Sequence, residues 1–174
     1  MTRVWLLRAV NVGGARLPMA ELRDVAEALG ATNVSTYIAS GNLLADPPGD
    51  ADAFARALEA AIEQRFGFFR EVIGRTPTQL RAALDAYPFE RTRPKHSHVY
   101  FLSGTPTAAS AAALTALGYE TLAVIGDDLH ILYGDGVAGT KLTTPVIHRT
   151  LGVVGTGRNI DTVATLAALA GETD

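Results

Sequence analysis

The order of its apolar patterns is the feature of this sequence that most restricts what the chain can fold into. In the first half, short stretches typical of strands alternate with helical repeats in the order β-α-β-β-α-β. The predicted elements are a strand from Val4 to Val10, a helix between Pro18 and Gly30, strands from Val34 to Ala39 and Leu43 to Ala45, a helix from Asp50 or Asp52 to Phe66, and a strand from Phe68 to Ile73. This order is the split βαβ arrangement of ferredoxin-like folds, so it predicts an α+β protein.

The second half of the chain nearly repeats this order. A third helix begins at Thr76 and Pro77, and the later predicted elements are a strand from His98 to Leu102, a helix from Thr107 to Leu117, strands from Glu120 to Ile125 and Leu129 to Tyr133, a helix from about Thr144, and a closing helix that Asn159 caps. This half reads β-α-β-β-α-α and ends in a helix where the first half ends in a strand. We predict two ferredoxin-like lobes in one compact chain, residues 1–87 and 96–174, with a charged, proline-rich linker at about 88–95.

The composition is that of a globular chain, and its small net charge does not indicate a strongly charged partner. Of the 174 residues, 48% are hydrophobic and 19% are charged, and the net charge is -3, which excludes a disordered chain. A nucleic-acid-binding domain usually carries a basic stripe. The densest basic group here, Arg91, Arg93 and Lys95 with His96, is expected to be a solvated loop. Nucleic acid is therefore not an expected partner.

The chain contains no cysteine. This excludes disulfides, thiol nucleophiles and iron–sulfur ligation, and it fits a cytoplasmic protein. The N-terminus lacks the apolar run of a signal peptide and no stretch is long enough to span a membrane, so a membrane is not an expected partner. His96 and His98 would project from one face of a strand without a third ligand. No metal site is therefore predicted, and the sequence does not identify a cofactor.

The segment RAVNVGG, from Arg8 to Gly14, follows the first predicted strand and precedes a helix. It is neither a dinucleotide fingerprint nor a P-loop, because Gly13 and Gly14 are adjacent and no Lys-Ser/Thr pair follows them. One interpretation is a glycine-rich turn. The other is an anion site, in which Arg8 and Asn11 supply side-chain donors and the glycines let backbone N–H groups approach a ligand.

A second polar segment, TYIASGN, joins the second and third predicted strands. Gly and Asn are ordinary residues at such a junction because both tolerate positive φ, so this segment alone predicts a hairpin turn. Tyr37 is expected to pack with its hydroxyl at the surface. The topology places this turn and the loop after the first strand near one end of the sheet, where Ser40 and Asn42 would join a shared site.

A third donor-rich region is formed by TKLTTP and GTGRN. Lys141 follows the glycine-containing loop GDGVAGT, and Arg158 and Asn159 are predicted to lie in a turn directly before the last helix. Backbone N–H groups at a helix start attract anions, and an Arg beside them adds a bidentate partner. The alternative is that Asn159 only caps the helix and that Arg158 is solvated.

These segments together resemble a bacterial domain-of-unknown-function family, number sixteen-ninety-seven. The resemblance runs through RAVNVGG, PMAELRDVAEALGATNVSTYIASGN, TKLTTPVIHRTLG and GRNIDTVATLAAL, which extend over nearly the whole chain, and the opening is its most specific part. It implies two similar α+β, ferredoxin-like lobes and no assigned activity. The family's signature residues correspond to Arg8, Asn11, Gly13, Gly14, Tyr37, Ser40, Gly41, Asn42, Lys141, Thr143, Arg158 and Asn159.

The sequence departs from the family pattern at three positions. Ala9 stands where the resemblance implies Gly, Ala39 where it implies Gln, and Ile160 where it implies an aromatic residue. If the family uses this Gln side chain or this aromatic ring to contact a ligand, Ala39 and Ile160 cannot make that contact.

The leading functional hypothesis is a module that binds a small anionic or nucleotide-like ligand in a cleft lined by the glycine-rich turns. The proposed ligand-binding residues are Arg8, Asn11, Gly13, Gly14, Tyr37, Ser40, Asn42, Lys141, Arg158 and Asn159. A metal-assisted phosphoryl or nucleotidyl transferase or hydrolase is the first alternative, with Asp127, Asp128 and Asp135 as its acidic residues. The second alternative is a structural or protein-interaction module, including a homodimer formed through edge strands.

Overall fold

A computed structural model describes residues 1–91 and 93–172 of this chain. Eight strands and six α-helices follow one another along the described residues. In chain order they are β1 (Arg3–Leu7), α1 (Met19–Ala28), β2 (Thr32–Thr36), β3 (Asn42–Asp46), α2 (Ala51–Phe66), β4 (Val72–Arg75), α3 (Pro77–Ala86), β5 (Ser97–Leu102), α4 (Ala108–Ala116), β6 (Thr121–Ile125), β7 (Asp128–Leu132), α5 (Thr144–Leu151), β8 (Gly155–Asn159) and α6 (Ile160–Gly171). None of the described helices is long and apolar enough to cross a membrane.

The strands form two four-stranded antiparallel sheets with the same internal arrangement. The first sheet has the strand order β2-β3-β1-β4 and the second the order β6-β7-β5-β8. In each sheet the first strand in sequence lies at the centre, between the third and the fourth. The prediction of an α+β protein is confirmed.

The contacts along the chain divide it into two compact units. Unit 1 contains Met1–Leu80 and the part of α6 from Leu166 onward, and unit 2 contains Arg81–Thr165. A short 3₁₀ helix, Pro94–His96, begins within the predicted linker at 88–95. Thr92, Thr173 and Asp174 lie outside the described residues. The domain limits 1–87 and 96–174 remain predictions.

The core of unit 1 lies between the first sheet and helices α1 and α2. Trp5 of β1 packs edge-on against Phe54 of α2, with ring centroids 4.8 Å apart. Asp50 caps α2 by accepting a hydrogen bond from the Ala53 N–H at 2.8 Å. Gly67 ends the same helix at φ 78°, a left-handed conformation that favours glycine. The predicted helical repeat therefore buries its apolar face on the sheet.

The closing part of unit 2 corrects the predicted element order. The segment GTGRN, predicted as a turn, forms the edge strand β8, which pairs with β5 from His98↔Asn159 to Leu102↔Gly155. The sequence did not indicate this strand because glycine has a low strand propensity. A Cβ at Gly157 would lie 2.5 Å from Cε2 of Tyr100, so the ring of Tyr100 occupies the space that a side chain would need. From β5 onward the order is therefore β-α-β-β-α-β followed by α6.

His130 of β7 is fully buried in unit 2, and neither ring nitrogen has a hydrogen-bond partner among the described residues. Its ring packs against the ring of Tyr87, with centroids 5.7 Å apart. Burial, assisted by the positive charge of Arg91, lowers the pKa of His130 to about 4. The imidazole is therefore neutral at pH 7 in the folded chain.

The protein should lose stability as the pH falls from 7 towards 4. The unfolded chain protonates His130 with a pKa of about 6.5, whereas the folded chain resists protonation down to about 4. Because the unfolded state binds more protons in this window, His130 should remove about 2 kcal/mol of stability by mildly acidic pH. Urea unfolding at several pH values should show a smaller loss for His130→Phe. Parallel pH profiles for the two proteins would contradict this assignment.

Candidate functional site

The loop between β1 and α1 folds back on itself through its own backbone. The Asn11 N–H donates to the Ala15 carbonyl at 2.7 Å, and the Ala15 N–H donates to the Val12 carbonyl at 3.2 Å. Asn11, Gly13 and Gly14 have φ values of 57°, 57° and 89°. Gly13 and Gly14 are therefore needed because this reversal uses left-handed backbone conformations.

The side chain of Asn11 joins this loop to the turn between β2 and β3. Its Oδ1 accepts a hydrogen bond from the Leu17 N–H at 2.8 Å. Its Nδ2 donates to the Leu17 carbonyl at 2.9 Å and to the Ala39 carbonyl at 2.6 Å. The structure thus brings the first two predicted segments together, and Asn11 uses its amide to hold them.

The turn between β2 and β3 is held by Asn42, which is completely buried. Its Nδ2 donates to the Tyr37 carbonyl and to the Ser40 hydroxyl, both at 3.0 Å. The adjacent Gly41 accepts a hydrogen bond from the Leu7 N–H at 2.9 Å. The turn therefore sits directly on the end of β1.

Two non-glycine residues in these segments have a left-handed backbone besides Asn11. Ala9 has φ 53° and Ile38 has φ 49°. A β-branched residue rarely adopts this conformation, which costs of order 1–3 kcal/mol where it occurs. Local strain of this kind accumulates at functional sites more often than elsewhere. The two segments therefore differ from ordinary connecting loops.

Arg8 is paired rather than open to a ligand. Its Nε forms an ion pair with Oε2 of Glu71, and its Nη2 lies 3.4 Å from Oε1 of the same carboxylate. Arg70 donates from Nε to the carbonyl of the strained Ala9 at 3.1 Å. The guanidinium groups of Arg8 and Arg70 therefore lie at the base of the loop, and that of Arg8 is paired with the Glu71 carboxylate.

The tip of the loop retains unused hydrogen-bond donors. Asn11–Arg16 line an open depression of about 200 Å³. Within the described residues, the N–H groups of Val12, Gly13 and Gly14 donate to no acceptor, and the guanidinium of Arg16 has no hydrogen bond or ion pair. Arg16 was missed as a candidate from the sequence. The only indication was its position just after the glycine pair.

Lys141 lies in unit 2 at the mouth of a second opening of about 310 Å³, which Glu120 and Asp135 also line. The Glu120 carboxylate accepts hydrogen bonds from the Gly134 N–H at 3.0 Å and from the Thr140 hydroxyl at 2.6 Å. Lys141 is exposed. This opening therefore combines one cation with two carboxylates.

Arg158 and Asn159 have different environments from those expected in a turn. Arg158 is 8% exposed in β8, where its Nη1 donates to the Thr156 hydroxyl at 2.7 Å and to the Gly157 carbonyl at 2.9 Å. Burial lowers its pKa to about 10. Asn159 caps α6 by accepting from the Thr162 N–H at 2.9 Å, so the predicted cap is confirmed. Arg158 is buried instead of solvated.

The acidic and histidine candidates do not form a metal-binding cluster within the described part of the chain. Asp127 lies in the hairpin turn before β7 and accepts a hydrogen bond from the Thr105 hydroxyl. His96 lies in the 3₁₀ helix and not on a strand, while burial lowers the pKa of His98 on β5 to about 4. In residues 1–91 and 93–172, no group of three or more His, Asp or Glu side chains could hold a metal ion.

The two sheets, each with packed helices, define an α+β protein whose glycine-rich loop and turn meet at the end of a central strand. A family model described as a protein of unknown function, DUF1697, matches residues 1–130. The chain belongs to this family, as the resemblance predicted.

One similar solved structure is that of the conserved bacterial protein SP0830 from Streptococcus pneumoniae. It has a TM-score of 0.69 and 20% sequence identity, with 98% of each chain covered. At this identity the likeness concerns the fold alone. No protein of curated function matches the chain.

Replacing Asn11 with Gly should lower the stability of the protein by about 2 kcal/mol. Glycine keeps the left-handed conformation, so the loss reports the side-chain hydrogen bonds to Leu17 and Ala39. Asn33→Gly is the matched control, because Asn33 also has a positive φ of 51° but makes one exposed hydrogen bond to Asp46. Chemical unfolding should give a clearly smaller loss for the control. Equal losses would show that the Asn11 amide does not hold the loop.

Replacing Ala9 with Gly should raise stability by about 1 kcal/mol, because the strain of a left-handed alanine exceeds the entropy that glycine adds to the unfolded chain. Ala112→Gly, at an exposed position within α4, should instead lower it by about 1 kcal/mol. Thermal or chemical unfolding of both variants gives the comparison. Destabilisation by Ala9→Gly would mean that the alanine methyl group stabilises the loop.

Proposed function

We propose that this protein binds a small oxyanion, such as a phosphate or the phosphate group of a nucleotide-like ligand, at the tip of the loop between β1 and α1. The observation that carries the proposal is the run of three successive N–H groups, Val12 to Gly14, which have no acceptor within the described residues. Successive N–H groups around left-handed residues form concave anion sites known as nests.

The charge around the loop supports an anionic ligand. The Arg16 guanidinium lines the same depression and is exposed. A guanidinium binds phosphate through paired hydrogen bonds, which are stronger than neutral ones. Arg8 and Arg70 add positive potential at the base of the loop, only partly balanced by Glu71.

Residues that the sequence analysis proposed as ligand-binding have two different roles in this proposal. Gly13 and Gly14 belong to the binding loop, and Arg16 joins them. Asn11 joins the loop to the neighbouring turn through its bond to Ala39. Asn42 holds that turn through its bonds to Tyr37 and Ser40. In this proposal Asn11 and Asn42 therefore have a structural role, while the N–H groups of Val12, Gly13 and Gly14 are available to a ligand.

A comparison with unit 2 also supports a special role for this loop. We propose that both units are ferredoxin-like lobes, since their strands occur in equivalent orders. The Leu7 N–H donates to the Gly41 backbone carbonyl in unit 1. The Leu102 N–H donates to the Asp127 backbone carbonyl in unit 2, and both distances are 2.9 Å. In unit 2, Ser103–Thr107 alone connect the central strand β5 to helix α4. The glycine-rich loop of unit 1 is therefore longer than this fold requires.

Phosphate titration followed by ¹⁵N–¹H NMR tests the proposal. Inorganic phosphate at constant ionic strength should shift the amide signals of Val12, Gly13 and Gly14 in a saturable manner. Arg16→Gln should weaken binding by about tenfold, the effect of losing one charge-assisted hydrogen bond. Arg149→Gln is the matched control, because Arg149 is also exposed and has no ion pair among the described residues.

Two results would overturn the proposal. The first is the absence of any saturable shift at the three amides. The second is an equal loss of phosphate affinity in Arg16→Gln and Arg149→Gln, because this would reflect net charge rather than a defined site.

A further inference from the structure

One segment of unit 2 is almost free of charged residues. The segment from Ser103 to Gly126 contains one charged residue, Glu120. Its carboxylate is engaged by the Gly134 N–H and the Thr140 hydroxyl. Exposed apolar side chains in this segment are those of Leu117 (39% exposed), Tyr119 (41%) and Ile125 (43%). Exposed apolar side chains can contribute to interaction surfaces in soluble proteins.

Strand β6, Thr121–Ile125, lies within this segment and has the sequence TLAVI. It pairs with β7 on one side and is the terminal strand of its sheet on the other. Natural edge strands are usually protected by charges, prolines or bulges. β6 has none of these, and its pairing with β7 is regular from Thr121↔Leu132 to Ile125↔Asp128.

The equivalent edge of unit 1 is protected. Strand β2 shifts register between Thr32 and Ser35, and Asn33 has a left-handed backbone with φ 51°. Such an irregularity disrupts the row of donors and acceptors that a new strand would need. The open edge of β6 is therefore not a general consequence of this fold.

The hairpin turn determines which groups of β6 face outward. Gly126 has φ 60° and forms, with Asp127, the two-residue connection between β6 and β7. In such a hairpin the residues flanking the turn are a hydrogen-bonded pair, and the type of pair then alternates along the strands. Ile125, Ala123 and Thr121 therefore bond to β7. Leu122 and Val124 direct their N–H and C=O groups outward.

We propose that this protein forms a symmetric dimer through antiparallel pairing of β6 with β6 of a second copy. With the two-fold axis at Ala123, Leu122 of one copy lies opposite Val124 of the other, and both present outward N–H and C=O groups. These residues then form two equivalent hydrogen-bonded pairs. The sequence of β6 is therefore compatible with this antiparallel register.

The side chains and charges fit this arrangement. Ala123 faces its own copy at the non-hydrogen-bonded position, where the strands approach most closely and a small residue fits. Thr121 faces Ile125 of the second copy, a favourable pair of β-branched residues. No charged residue of β6 meets its equivalent, and α4, which packs on β6, carries none either. A second copy therefore supplies partners for the outward N–H and C=O groups of β6.

The test is the molar mass of the full chain in solution, measured by sedimentation equilibrium at several concentrations. The wild-type protein should reach twice 18.3 kDa at high concentration. Thr121→Lys/Ile125→Lys should weaken dimerisation at least tenfold, because two lysine pairs would face each other. Thr121→Glu/Ile125→Lys should restore the dimer, because each Glu would then face a Lys. Both positions are exposed, and circular dichroism and thermal unfolding verify the fold of each variant.

Thr32→Lys, at an exposed position on the edge strand of unit 1, is the matched control and should leave the dimer unchanged. A monomeric wild-type protein would overturn the proposal. A dimer that persists in the double-lysine variant would place the interface elsewhere, and failure of the Glu/Lys variant to re-associate would exclude the antiparallel register. These results do not depend on phosphate binding.

Discussion

The hydrogen bonds of the Asn11 amide are the interaction on which the candidate site depends. One side chain connects the loop after β1 to Leu17, just before α1, and to Ala39 in the turn between β2 and β3. Each of these segments leaves the sheet at the same end, and each includes left-handed residues that do not hold their conformation by intrinsic preference. The amide therefore supplies the constraint that keeps the exposed loop tip in one conformation.

A fixed loop matters because backbone N–H groups bind anions well only when they are already oriented. Val12, Gly13 and Gly14 are exposed, so a flexible loop would lose conformational entropy on binding and reduce the affinity. In the site that we propose, Asn11 and the buried Asn42 would reduce this cost before a ligand binds, and Arg16 would need only to order its own side chain. Under this proposal, a residue can be important to binding without contacting the ligand.

Sequence patterns predicted the parts of the fold that depend on local preference. Helix α2 followed from its apolar repeat and the Asp50 cap, and the closing helix followed from Asn159. Strand β8 did not, because Gly155 and Gly157 have low strand propensity and their role depends on the Tyr100 ring across the sheet. The meeting of the first two glycine-rich segments was expected from topology. The partner of Asn11, which lies 28 residues away, could not be identified without coordinates.

The two units show how one arrangement of strands can be used in different ways. In both units the residue ending the central strand donates to the turn between the next two strands, Leu7 to Gly41 and Leu102 to Asp127. In unit 1 the loop after β1 is long, and the pairing of the outer strand β2 is irregular. Unit 2 keeps that loop short and leaves its outer strand regular and uncharged. An edge strand without protection is an aggregation risk for a monomer, so the contrast agrees with the anion site that we propose in unit 1 and the interface that we propose at β6 in unit 2.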